Sequence, residues 1–258
     1  MNAYQTWVSF YTIVRKDVVR IFRIWAQTFL PSVVTSVLYF VIFGAFLGSR
    51  IGEVQGVPYI SFVVPGLVML AVVTNSYMNT SFTMFMSKFF GRNIDEILVS
   101  PTPPWVIVAG YIAGGMVRGV IIGVLVLAVS LFFTHLAIYN IFAVIGFLLL
   151  TSLVFSVAGL VNGVYAKSID SINIVPTFVL TPLVYLGGVF YSAEALPGFW
   201  GSLTKFDPVF YIINGFRYGL LGIADVSIWF SVGILVGLSV LFLAIAIYLI
   251  KTGLGLRQ

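Results

Sequence analysis

Leu186–Gly222 reads LGGVFYSAEALPGFWGSLTKFDPVFYIINGFRYGLLG, a stretch that is apolar almost throughout yet unable to cross a bilayer. Its two greasy pieces, roughly 12 to 15 residues each, are interrupted by Pro197, Lys205 and Pro208, whereas a helical span takes about 20 apolar residues. Ser192 is placed to cap the first piece, with Glu194 in its opening turn. Asp207 followed by Pro208 reads as an N-cap with proline at the first helical position. The stretch therefore predicts two short helices tucked into one face of a membrane, not a span.

Composition fixes the class around it. Of 258 residues, 60% are hydrophobic and only 8% charged, with a mean hydropathy of +1.12; a soluble chain carries about 25% charged residues. The expected fold is all-α, a single polytopic membrane domain over 1–258 with no segment polar enough for a second, soluble domain. The absence of Cys excludes a disulfide framework and thiolate metal sites.

Six runs are long enough to cross: Phe29–Leu47, Ile60–Asn79, Trp105–Phe133, Ile141–Tyr165, Ile172–Phe190 and Ile228–Ile250. This divides the chain into 1–27, then 28–186 with five spans, 187–226 for the broken outer segment, and 227–258 with the last span and tail. Cations near span ends set orientation. With the N-terminus inside, Arg15, Lys16, Arg20, Arg23, Lys88, Arg92, Lys167, Lys251 and Arg257 collect on the cytoplasmic side, nine against three outside (Arg50, Lys205, Arg217). The acidic residues split four and four, so the bias belongs to Lys and Arg alone. Both termini are expected in the cytoplasm. The basic balance thus speaks for orientation rather than for nucleic acid.

Tyr4–Trp25 precedes the first span and mixes Trp7, Phe10, Ile13, Val14, Val18, Ile21, Phe22 and Trp25 with five charged residues. Apolar residues recur at three and four, giving one greasy face. Such a helix lies along the inner membrane surface, its cations meeting anionic head groups. A cleaved signal peptide fits less well, because the apolar run starts late and no small-residue cleavage site follows it.

The loop Ser87–Pro104, SKFFGRNIDEILVSPTPP, is the best place to meet something soluble. Asn93 can cap a helix whose third residue is Glu96, with Asp95 also favourable in the first turn. Ile94, Ile97 and Leu98 share an apolar face, and Pro101, Pro103 and Pro104 end the helix after about two turns. So short a helix needs tertiary or partner contacts to persist; a plain cytoplasmic turn is the simpler alternative.

Arg118 lies about halfway along the third run, where insertion of an arginine costs about 2.5 to 3.5 kcal/mol. It is expected to pack inside the bundle, with contact to a substrate as the other role. Gly110 and Gly114, and Gly115, Gly119 and Gly123, stand four apart and let helices approach closely. Among uncharged polar residues, Thr74, Asn75 and Asn79 in the second span are candidates for a pathway, as are Thr177, Thr181 and Tyr185 in the fifth. Helix–helix bonding is the competing role for each. Pro65-Gly66, Pro176 and Pro182 predict kinks whose freed carbonyls tolerate burial in protein or a wet cavity, not in lipid.

No Asp or Glu falls inside a span, and the one His, His135, sits near the outer end of the third. The parts for proton coupling are therefore missing. Lys167-Ser168 and Lys251-Thr252 lack the preceding glycine of a phosphate-binding loop, so the chain cannot hydrolyse ATP by that route. No nucleophile, base and orienting acid cluster in sequence. Catalytic, cofactor-binding and metal-binding residues are all expected to be absent.

Taken in order, the amphipathic N-terminal segment, RNIDEILVSPTP after the second span, TFVLTPLVYLGGVFYSAEALPGFW and KFDPVFYIINGFRYGLLG resemble the permease subunit of bacterial ABC-2 type transporters across nearly the whole chain. The last two blocks carry most of the resemblance. It implies six spans per subunit, a homodimer of permeases in the inner membrane, and a dimer of cytosolic ATP-binding subunits on a separate chain, where ATP and Mg would bind. It also implies that Arg92, Asn93, Asp95, Glu96, Ile97 and Leu98 belong to a coupling helix docking on that ATPase. Ser192–Leu221 would form outward-facing re-entrant helices, with Phe190, Tyr191, Phe199, Trp200 and Arg217 at an outer gate. Spans two and five would flank the route of an amphiphilic substrate such as a drug, a lipid or a lipid-linked glycan. Two other classes compete with this reading: a carrier or channel working without a partner, and a membrane scaffold that transports nothing.

Overall fold

The computed structural model describes residues 2–90, 93–192 and 198–256, and among these the regular structure is helical but for one small hairpin. An amphipathic helix α1 (Ala3–Arg23) turns at Ile24 into α2 (Trp25–Phe40), which continues through a π-helical stretch, Val41–Gly48, to Ile51. After the hairpin come α3 (Tyr59–Phe89), α4 (Asn93–Val99), α5 (Pro104–Ser130) and α6 (Ile141–Tyr165). The broken fifth span follows as α7 (Ile169–Val175), a π-helical turn Pro176–Leu180, and α8 (Thr181–Leu186). Then come α9 (Phe199–Phe206), α10 (Pro208–Leu221) and α11 (Ile228–Thr252).

Six helical segments are long and apolar enough to cross a membrane: Trp25–Ile51, α3, α5, α6, Ile169–Leu186 and α11. The chain is an all-α polytopic membrane protein. Several limits differ from those read off hydropathy: the first span runs Trp25–Ile51 rather than Phe29–Leu47, and the fifth Ile169–Leu186 rather than Ile172–Phe190. α3 runs to Phe89 rather than Asn79, because its polar groups are satisfied within the helix or against a neighbour. The Thr80 and Thr83 hydroxyls donate to the carbonyls of Ser76 and Asn79, and Lys88 Nζ donates to the Val164 carbonyl at 3.1 Å. α5 stops at Ser130 rather than Phe133, where Phe132 and Phe133 shift their N–H groups to the carbonyls of Val129 and Ser130 and the helix tightens to a close.

The hairpin lay outside the all-α expectation. Strands β1 (Glu53–Val54) and β2 (Val57–Pro58) pair antiparallel, with Val54 opposite Val57. Gln55 and Gly56 both take positive φ, 52° and 78°, as a two-residue turn matched to strand twist demands.

Close packing centres on α3, the most enclosed span, with 72% of its apolar core buried against 12% for the first span and 17% for the fifth. Glycines explain the approach. A Cβ at Gly159 of α6 would collide with the Tyr77 carbonyl oxygen, and one at Gly163 would come 2.5 Å from that of Ser81. Gly115 and Gly119 of α5 leave room for the Thr80, Ser156 and Ser76 hydroxyls. Where lipid tails are as apolar as leucine, such backbone proximity is what holds helices together. Gly110 and Gly114 face elsewhere: they seat Ile13 and Asp17 of α1.

The fifth span changes from α-helix to a π-helical turn at Pro176 and returns to α-helix at Thr181, ahead of Pro182. Thr181 donates both its N–H and its hydroxyl to the Pro176 carbonyl, five residues back, at 2.9 Å for the hydroxyl. The Ile172 carbonyl, which Pro176 leaves without its helical donor, accepts instead from Asn162 Nδ2 at 3.1 Å.

Candidate functional site

One end of the bundle gathers α1, the end of α3, α4 and the residues that follow α11 as far as Leu256. In α4, Ile94 is buried while Ile97 and Leu98 pack half-buried in the same cluster, which also holds Val164, Ile250 and Leu256. The inward face therefore follows the expected apolar triad. The outward face is Asp95, Glu96 and Val99, the last 88% exposed. Tertiary packing is what holds a helix of 7 residues. Arg92 lies outside the described residues, and Asn93 is described only as the first residue of the helix.

α1 differs from a simple surface helix. Its aromatic residues Tyr4, Trp7, Tyr11 and Phe22 do face outward, as does Trp25 at the start of α2, but Asp17 is buried and Arg20 turns inward with it. Arg20 Nη2 donates to Asp17 Oδ1 and Thr83 Oγ1, both at 2.5 Å, and to Asn79 Oδ1 at 3.0 Å. Asn79 Nδ2 and Thr83 Oγ1 complete the carboxylate's shell at 2.9 and 3.2 Å. The expectation that every α1 cation meets head groups is thus corrected for Arg20: a buried carboxylate requires a partner, and Arg20 supplies it. Asp17 was the missed residue, and its signal was its standing as the sole acid in a cationic helix three positions before an arginine.

The polar candidates divide. Asn75 and Asn79, with Thr83, form one stripe along α3 at four-residue spacing. Asn75 accepts from Arg118 Nη2 at 3.3 Å and donates to Ser32 Oγ at 3.2 Å and to the Ala71 carbonyl at 2.9 Å. Arg118 is half-buried between helices, its Nε unpartnered among the described residues. Thr74, Thr177, Thr181 and Tyr185 are exposed. The last three recur every four residues and so line one outward face of the fifth span, which has little of the chain packed against it.

At the opposite end, Phe190 stacks on Phe43, with ring centroids 4.4 Å apart, and lies 6.0 Å from Tyr185. The Tyr191 hydroxyl donates to the Tyr185 and Leu186 carbonyls. Phe199 and Trp200 are 73% and 52% exposed. Arg217, expected at an outer gate, is instead enclosed at 1% exposure. Its Nη2 donates to the Gly188 carbonyl at 2.8 Å, its guanidinium lies 3.9 Å over the Phe62 ring, and Nη1 stands 3.7 Å from Asp225 Oδ2. Asp225 Oδ1 in turn accepts from Gln55 Nε2 at 2.8 Å and from the Ser192 hydroxyl at 3.2 Å. The helix that Ser192 and Glu194 were expected to open falls in residues 193–197, outside the described residues.

Asp207 caps α10 as its sequence predicts, accepting from the Val209 N–H at 2.8 Å ahead of Pro208. Burial outweighs that bond and pushes its carboxyl up from 3.8 to about 7. The folded chain therefore keeps a proton that the unfolded chain releases. Stability from this group is full below about pH 4 and is lost as the pH rises toward 7. Asp207→Asn keeps an acceptor for the cap and removes the charge. Its unfolding midpoint should vary less between pH 4 and 8 than the parent's; an equal slope would show that Asp207 does not cause it. Asp207→Ala loses the cap as well, by about 1 kcal/mol.

Among the described residues no group of His, Asp or Glu could hold a metal ion.

The family profile described as ABC-2 type transporter matches residues 8–221. The chain is 51% identical over 252 residues, 98% of both chains, to the Inner membrane transport permease YadH of Escherichia coli strain K12. It is 27% identical over 218 residues, 82% of this chain and 83% of the relative, to Nodulation protein J of Rhizobium leguminosarum bv. viciae. A second Nodulation protein J, from Rhizobium meliloti, is 26% identical over 82% of each chain.

Proposed function

Since the chain belongs to the ABC-2 type transporter family, we propose that it is the membrane subunit of an ATP-driven exporter in a bacterial inner membrane, working with a separate ATP-binding subunit. It is a permease and not itself an enzyme; ATP and Mg are held by the partner. Both termini and α4 face the cytoplasm, as the excess of Lys and Arg at that end supports. The inner-membrane setting is the one named for the Escherichia coli relative.

The observation that carries this reading is α4. Ile94, Ile97 and Leu98 are spent on the chain's own core, and the helix holds Asp95, Glu96 and Val99 outward, Val99 being 88% exposed among the described residues. An exposed, rigidly seated helical face is what a moving partner needs in order to transmit force. α4 is joined through Ile97 and the α3 end to α1, so a push on it reaches both elements. Two copies of the chain would pair through the scarcely covered first and fifth spans, placing Thr177, Thr181 and Tyr185 along an amphiphile's route between protomers. α9 and α10 would be the re-entrant helices beyond its outer end, with Phe190, Tyr191, Phe199 and Trp200 beside the exit. Access then alternates because nucleotide and substrate each bind one arrangement better than the other.

Glu96→Arg combined with Val99→Asp tests the docking face without touching the core. The variant should insert and fold as the parent does. Its transport in the reconstituted complex should fall at least tenfold while ATP hydrolysis persists. Parental transport by this variant would refute the docking assignment.

A further inference from the structure

A cavity of about 1000 Å³ lies between α1 and the α3–α4 junction. Its walls are mixed in a definite way. Val19, Met86, Phe90 and Ile97 supply apolar surface, while Arg15, Lys16 and Arg23 bring positive charge along α1. Arg20 and Asp17 also border it, but they neutralise one another within the network described above. Among the described residues no carboxylate lies within ion-pair distance of Arg15 or Arg23. The groove therefore presents net positive charge over a greasy floor.

Its position completes the pattern. The exposed aromatics of α1 and of the start of α2, Trp7 and Trp25 among them, set this helix at the membrane boundary, where amphipathic rings prefer to sit. Arg15 and Arg23 are eight residues apart, about 12 Å along the helix, so the charge is strung lengthwise. A soluble anion would have no use for the apolar wall, and a neutral lipid none for the cations.

We propose that this groove binds an anionic phospholipid of the inner leaflet, its phosphate held from Arg15 and Arg23 and an acyl chain along Val19, Met86 and Phe90. The proposal rests on the cytoplasmic placement of this end given above. A bound lipid would wedge α1 against the α3–α4 junction, so the composition of the leaflet would bias the element that meets the partner subunit.

The test uses the full chain in a neutral detergent with dioctanoyl phosphatidylglycerol, dioctanoyl phosphatidylcholine or glycerol 3-phosphate as probes. The parent should bind the glycerol lipid at least tenfold more tightly than the choline lipid, with glycerol 3-phosphate competing poorly. Arg15→Gln with Arg23→Gln should erase the preference. Thr12→Trp, which fills the groove and keeps every charge, should erase it too, whereas Arg50→Gln at the other end should not. Equal binding of both lipids, a preference that survives either groove variant, or competition by glycerol 3-phosphate as strong as by the lipid would overturn the proposal. Binding is read without nucleotide or cargo. Failed transport with intact lipid preference therefore counts against the exporter reading alone, and lost preference with intact transport against the groove alone.

Discussion

Gly159→Ala should destabilise the chain by on the order of 2–3 kcal/mol, and Gly159→Leu should abolish the folded state. The added Cβ meets the Tyr77 carbonyl oxygen, which belongs to the backbone of the most enclosed helix and cannot swing aside as a side-chain tip can. α3 and α6 would have to part, and with them the seats of Phe155 and Leu160 in the core. Gly146, on the same helix, has open space where its Cβ would stand. Gly146→Ala should leave stability unchanged or raise it by up to about 1 kcal/mol through helix propensity. The pair separates close approach from any general intolerance of side chains on α6. Unfolding by graded sodium dodecyl sulfate in mixed micelles reads both, and equal effects from the two substitutions would contradict the packing described here.

Arg217→Met should cost about 3–5 kcal/mol, because it leaves the Asp225 carboxylate buried with only neutral donors. Arg217 is the element that ties α10 to the Gly188 carbonyl, to Phe62 of α3 and, through Asp225, to Gln55 of the hairpin and to Ser192. The outer end of the bundle should loosen first, giving proteolysis near residues 187–192 before the spans unfold. Arg217→Met with Asp225→Asn removes both charges and should recover part of the loss. A double variant no better than the single one would mean that the ion pair is not what makes Arg217 indispensable.

These two residues also show what sequence could and could not disclose. Hydropathy and proline placement sufficed for the six spans, for Asp207 capping α10 and for the departure from regular α-helix between Pro176 and Pro182, since each depends on neighbours in the chain. The small-residue pattern on α5 was visible too, but its division into one face for α1 and another for α3 and α6 was not. That division depends on which helices meet. Arg217 read as an outer gate because its flanks are apolar and it follows a broken segment; its enclosure requires Asp225 and Gly188, which only the fold delivers. Asp17 escaped for the same reason: its partners Asn79 and Thr83 lie more than sixty residues away. The docking face proposed on α4 was half legible. Periodicity put Ile94, Ile97 and Leu98 on one apolar face, but that this face turns into the chain's own core and leaves Val99 outward followed only from the packing.

All of the transport reading turns on the motor being elsewhere. The direct measurement is export of an amphiphilic fluorescent cargo in proteoliposomes, made once with the chain alone and once with the chain purified together with its native ATP-binding subunit. The account predicts accumulation against a gradient only in the second preparation, only with ATP and Mg present, and lost with the Glu96→Arg and Val99→Asp variant. Uphill export by the chain alone would contradict it.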